Sequence, residues 1–153
     1  MRRDGFASIA PTSAAASGVL TTEPMSFGSP GAAIAGTFLY INVAVKAGGS
    51  LQVELLIDGT SKLSSTTIHG HTDSTKLMMR WANGSSSIDH WPPPSLAPQL
   101  RFTLQGGVEL FAFWLKHDAK CGSSNGPVAG SGASFERGWD RRRDGAALCG
   151  GGG

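Results

Sequence analysis

Apolar and polar residues alternate with a period of two over much of the first 116 positions, and that alternation predicts strands. Residues 38–46 place Leu39, Ile41, Val43 and Val45 on one side and Tyr40, Asn42, Ala44 and Lys46 on the other. Residues 51–58 turn Leu51, Val53, Leu55 and Ile57 inward and Gln52 and Glu54 outward, while residues 75–81 oppose Leu77, Met79 and Trp81 to Lys76, Met78 and Arg80. Leu100, Phe102 and Leu104 likewise oppose Arg101, Thr103 and Gln105, the pattern of a sheet wet on one face. The next run has no polar face, with Leu110, Ala112 and Trp114 on one side and Phe111, Phe113 and Leu115 on the other. A strand of that kind needs cover twice, from its own core and from a second layer.

Glycine-rich turns separate these runs. Gly48-Gly49-Ser50, Asp58-Gly59 and Gly106-Gly107 all read as tight hairpin turns, because glycine supplies the positive φ angles such turns require. Residues 19–27 read as an extended edge segment, since Pro24 argues against a central strand. Residues 62–71 are rich in Ser and Thr and read as a weak strand or an irregular loop. Residues 82–98 form a long connection whose Pro92-Pro93-Pro94 should adopt an extended polyproline conformation outside any sheet. No amphipathic stretch with helical spacing exceeds a turn or two. The expected fold is all-β, about eight strands closed as a two-sheet antiparallel β-sandwich of jelly-roll or concanavalin-like type.

Composition changes the picture mainly at the C-terminus. From residue 120 onward the chain is mostly Gly, Ser, Ala and Arg, with Phe135, Trp139 and Leu148 as its only sizeable apolar residues. Such a segment buries too little surface to offset its ordering entropy, so a sandwich domain over residues 1–118 and a low-complexity, disordered tail over 119–153 are expected. Cys121 and Cys149 both fall in that tail, where free thiols are expected and a bridge would leave the core unstapled. Arg142-Arg143-Asp144-Gly145 echoes Arg2-Arg3-Asp4-Gly5, too short a match to establish a repeat.

The formal charge of +2 is small and its cations are scattered, apart from Arg141-Arg142-Arg143, which argues against a nucleic-acid partner. No apolar run approaches the roughly 20 residues of a membrane-spanning helix, so no membrane partner is expected. Asp4, Gly5 and Pro11 interrupt what would otherwise resemble the start of a secretion signal.

Candidate chemistry is thin. His69, His71 and Asp73 would share one face of an extended strand and have the ligand types for zinc, but the Ser/Thr/Gly-rich setting and the missing fourth ligand favour a solvated loop, and no metal or other cofactor is expected. Glu54 and Glu109 lie on outward strand positions, and Asp58, Asp73 and Asp89 in turns or loops, so no pair of carboxylates is set up for glycosidic chemistry. The Gly-x-Ser-x-Gly, phosphate-loop and dinucleotide signatures are absent, and no catalytic residue is assigned. A sugar-binding sandwich would need an exposed ring flanked by hydrogen-bonding groups. Tyr40, which shares its face with Asn42, and Trp91 in the proline-rich loop are the candidates, whereas Trp81 sides with Leu77 and Met79 and is expected in the core. Asn83-Gly84-Ser85 forms an N-glycosylation triplet of the kind common by chance.

Five segments then occur in a familiar order: Arg2-Arg3-Asp4-Gly5-Phe6-Ala7-Ser8, Leu20-Thr21-Thr22-Glu23-Pro24, Phe38-Leu39-Tyr40-Ile41-Asn42, Gly49-Ser50-Leu51-Gln52-Val53-Glu54 and the run from Leu100 to Leu115. Together they resemble the C-terminal β-sandwich of proteins related to glycoside hydrolase family 32, in which a five-bladed β-propeller precedes the sandwich. The resemblance implies a detached or truncated module. The family's catalytic carboxylates belong to the propeller and have no counterpart here, so this chain alone is not expected to be an enzyme. It also implies a cover for the doubly apolar strand, with Phe111, Phe113, Trp114 and Leu115 as interdomain packing residues. The expectation is therefore a non-catalytic accessory module whose partner is a β-propeller or a carbohydrate. The alternatives are a free-standing carbohydrate-binding or protein-interaction module and, last, an autonomous enzyme.

Overall fold

The computed structural model describes residues 8–13, 16–25 and 35–116, together with the backbone of 128–129. Two antiparallel sheets face one another. The first runs β1 (Ser17–Thr21), β8 (Gln99–Gln105), β3 (Ser50–Ile57) and β4 (Thr60–Ser64), with β5 (Ile68–His69) also paired to β3. The second runs β10 (Val128–Ala129), β9 (Val108–Lys116), β2 (Ala35–Val45) and β6 (Thr72–Met78), with β7 (Ile88–His90) also paired to β2. The all-β sandwich expected from the alternation is the observed fold.

The alternating apolar residues meet between the sheets. Leu39, Ile41, Val43 and Val45 of β2 pack with Leu51, Val53 and Leu55 of β3, with Leu100, Phe102 and Leu104 of β8, and with Met79, Trp81 and Trp91. Trp81 is fully buried, as its company with Leu77 and Met79 indicates. Phe102 from one sheet and Phe113 from the other bring their rings to 4.7 Å, tilted by 41°, a favourable aromatic contact across the core.

Two expected hairpins are not hairpins. β8 and β9 flank Gly106-Gly107 but belong to different sheets, as do β2 and β3 on either side of Gly48-Gly49. Each glycine pair is a corner that carries the chain across the core. In a hairpin the apolar faces of the two strands point the same way; here they look at each other. Asp58-Gly59 does close a true hairpin, with Ile57 opposite Thr60 and both turn residues at positive φ (47° and 73°).

The corners pack backbone on backbone. Lys46 N–H donates to the Gly107 carbonyl at 2.7 Å, and its own carbonyl accepts from Gly49 N–H at 2.9 Å. A Cβ at Gly106 would lie 2.8 Å from the Gly48 oxygen, and one at Gly70, on the passage from β5 to β6, would lie 2.6 Å from the Lys46 oxygen. All three crossings meet around Lys46.

β9 departs from regular alternation. It pairs Ala112 with Asn42 but Leu110 with Val43, leaving Phe111 as an extra, bulged residue. The bulge reverses the facing of the strand beyond it, so Phe113 and Leu115 enter the core alongside Val108 and Leu110. The expected grouping of Leu110 with Ala112 and Trp114 is corrected accordingly. β6 also shifts register beside the same point of β2, between Ile41 and Val43.

Other differences are local. β7 is a short strand within the long connection of residues 82–98. Pro93 has polyproline dihedrals (φ −63°, ψ 153°), but Pro94 opens a one-turn 3-10 helix, Pro94–Leu96, where its fixed φ suits the first helical position. The expected disordered tail lies outside the described residues except at Val128–Ala129, whose backbone pairs with Trp114 and Phe113. Cys121 and Cys149 also lie outside them.

The packed corner yields a graded test. Gly48→Ala places a side chain at φ +76° with open space around it, whereas Gly106→Ala adds a collision with the Gly48 carbonyl to the strain of φ +68°. Urea denaturation should show a loss of about 1 kcal/mol for the first and roughly 2–4 kcal/mol for the second. Equal losses would mean that the corners do not touch.

Candidate functional site

The two outer faces of the sandwich differ. On β3 and β8 the outward residues form a polar field in which Arg101 Nε donates to Glu54 Oε2 at 2.8 Å and Gln52 Nε2 donates to the Ser65 carbonyl at 3.2 Å. Alternation places Glu54 and Arg101 directly opposite each other in the register, so the pair is built into the sheet. The Arg101 hydrogen bond holds the Glu54 carboxyl below its ordinary value of 4.5, against the opposing effect of partial burial and with help from Ser61. The same bond raises the Arg101 guanidinium.

The outer face of β2 and β9 carries a buried aromatic pair beside the exposed Lys46–Glu109 ion pair. Tyr40 and Trp114 stand opposite each other in the register and stack at 5.8 Å with their planes within 9°. Tyr40 is 3% exposed, Trp114 1% and the neighbouring Asn42 0%.

This placement gives the burial of both sets of site residues. The sequence pattern offers Tyr40, Asn42 and Trp91 as a ring and amide surface for a sugar, but all three are buried. Trp91 is anchored by its indole N–H to the Met25 carbonyl at 3.3 Å, which ties the proline-rich connection to the segment after β1. The same pattern leaves Phe111, Phe113, Trp114 and Leu115 for another domain to cover. Instead, Phe113 and Leu115 belong to the core, Trp114 is buried in the Tyr40 stack, and Phe111 is the half-buried bulge.

The titratable residues do not converge. His69 lies on β5 beside Ser50, His71 sits in the turn after it at φ 69°, and Asp73 lies on β6 beside Ala44, so the three straddle both sheets instead of sharing one strand face. Among the described residues no group of three His, Cys, Asp or Glu could hold a metal ion. Glu109 pairs with Lys46 at 3.0 Å on the second sheet, away from Glu54 on the first. No helix among the described residues is long and apolar enough to cross a membrane. Asn83 and Gly84 are exposed in a turn in which Ser85 N–H donates to Asn83 Oδ1 at 3.0 Å.

Two measurements check these roles. Glu54 has a lowered folded pKa, so its contribution to stability is fully present above 4.5 and is lost as pH falls through the lowered value. Glu54→Gln should therefore lower the urea midpoint at neutral pH, and that deficit should shrink progressively as pH falls below 4.5; a deficit that does not change with pH would remove the ion pair as its cause. Tyr40→Ala should cost roughly 3–5 kcal/mol for emptying a stacked, buried ring position, and a neutral substitution would show that the ring is not packed.

Comparison with known proteins adds no relative: no family model, no curated protein and no solved structure matches this chain.

Proposed function

We propose that this chain is a non-catalytic β-sandwich accessory module of a glycoside-hydrolase-like protein, and that it supports a five-bladed propeller in which the catalytic groups reside. One observation carries the reading. Four of the five segments that resemble the family 32 sandwich overlap paired strands, in order: Leu20-Thr21-Thr22-Glu23-Pro24 at the end of β1 and beyond it, Phe38 to Asn42 on β2, Gly49 to Glu54 at the start of β3, and Leu100 to Leu115 across β8 and β9. Their alternate apolar residues, among them Leu39, Ile41, Leu51, Val53, Phe102 and Leu104, line the core of a two-sheet sandwich, where such motifs have a structural reason to exist. The fifth, at Arg2 to Ser8, lies almost wholly outside the described residues.

Because Phe113, Trp114 and Leu115 are buried, the proposed propeller contact rests on other residues. Ile9 is the better anchor. It comes directly after the first segment, its backbone exchanges two hydrogen bonds with Leu110 at 2.8 and 2.9 Å, and its side chain is 49% exposed. A propeller joined at this point would cover Ile9 and the adjoining rim of β9. The carbohydrate alternative has lost its rings to the interior, and no sugar contact is proposed on Tyr40, Asn42 or Trp91.

The test is complementation. A five-bladed propeller from a family 32-like protein, expressed without its own sandwich, should form a one-to-one complex with this chain and gain thermal stability from it. Ile9→Asp should weaken that complex at least tenfold in calorimetric titration without unfolding the module. A propeller whose melting temperature is indifferent to the chain would overturn the assignment.

A further inference from the structure

A sheet edge carries unpaired N–H and C=O groups, and natural proteins guard such edges with charges, bulges or covering segments. Among the described residues, three of the four outer edges are guarded. β4 carries the exposed Lys62 and meets β3 through a register shift, β6 carries Lys76 and Asp73 and meets β2 through another, and the outer rim of β9 is occupied by Ile9 and by Val128–Ala129.

Among the described residues β1 has none of these protections. Ser17–Thr21 contains no charge and pairs with β8 in unbroken register from Ser17 opposite Gln105 to Thr21 opposite Arg101. Thr22 N–H donates to the Leu100 carbonyl, and Gly106 N–H to the Ala16 carbonyl. The even-numbered residues therefore turn their backbone groups toward β8, while Ser17, Val19 and Thr21 turn theirs away from it. Val19 is also 64% exposed, the highest value among the large apolar residues described.

We propose that β1 docks a second copy of this chain, β1 against β1, antiparallel and centred on Val19. The outward groups at 17, 19 and 21 are symmetric about Val19, so a two-fold axis through it sets Ser17 opposite Thr21 of the second copy and Val19 opposite itself. Each of the three facing pairs exchanges two N–H···O=C bonds. The side chains agree with this register: hydroxyl faces hydroxyl at both ends, and two β-branched apolar groups meet in the middle. The first sheet would then run unbroken through both molecules, and the two-fold closes the assembly at a dimer. Five residues a side make a small interface, so the dimer depends on concentration. None of this requires the propeller, and the two proposals fail separately.

Sedimentation of the full chain from micromolar to millimolar concentration should show a mass rising from 15.8 kDa toward twice that value. Val19→Lys, which sets two like charges against each other on the axis, should hold the chain monomeric with its denaturation curve unchanged. In a Cys121→Ser, Cys149→Ser background, Val19→Cys should oxidise to a covalent dimer, because directly opposed residues lie about 5.5 Å apart at Cα, within reach of a disulfide. Ser17→Cys should not, since the two copies of that residue would stand about 13 Å apart. A chain that stays monomeric at millimolar concentration, a dimer that survives Val19→Lys, or equal cross-linking through residues 17 and 19 would each overturn the proposal.

Discussion

The sandwich depends on three passages of backbone meeting around Lys46. At this end the chain crosses from β2 to β3, from β5 to β6 and from β8 to β9, and the crossings lie so close that Lys46 bonds directly to Gly107 and leaves no room for a side chain at Gly70. Glycine is required there by proximity as much as by φ. The arrangement fixes the spacing and relative slide of the sheets at one end, and the interlocking apolar residues of β2, β3, β8 and β9 extend that alignment along the core.

The two outer faces reflect what the chain provides to cover them. β3 and β8 present paired polar groups to solvent, with Glu54 and Arg101 satisfying each other in register. β2 and β9 present a stacked tyrosine and tryptophan, and these are closed over. The Trp114 indole N–H is buried without a hydrogen-bond partner among the described residues, so that ring contributes through contact area and stacking. The Tyr40 ring is therefore held in the stack with Trp114, away from solvent.

Strand positions are legible in the sequence because period-two alternation is a local property: β2, β3 and β8 are visible in Leu39 to Val45, Leu51 to Leu55 and Leu100 to Leu104. The Asp58-Gly59 hairpin is legible for the same reason. Partner choice is not. A tight glycine turn between two apolar runs has the same signature whether the strands lie side by side or face each other, and the decision rests on a core assembled from distant residues. The Phe111 bulge is hidden because its neighbours are mostly apolar, so a one-residue change of facing leaves no mark on the pattern. Asn42 misleads because a polar residue at an alternate position reads as wet, while here its side of the strand is covered.

The order in which the strands are used has a consequence for biosynthesis. β8 and β9, each with a neighbour on both sides, are among the last strands made, and they pair residue 103 with 19 and residue 115 with 39. Neither sheet can close on a nascent chain until this late segment has left the ribosome. Until then β2 and β3 wait with their apolar faces open and no central partner, a state that exposes them to aggregation and to chaperones. Early termination before residue 99 would strand the molecule in that condition permanently.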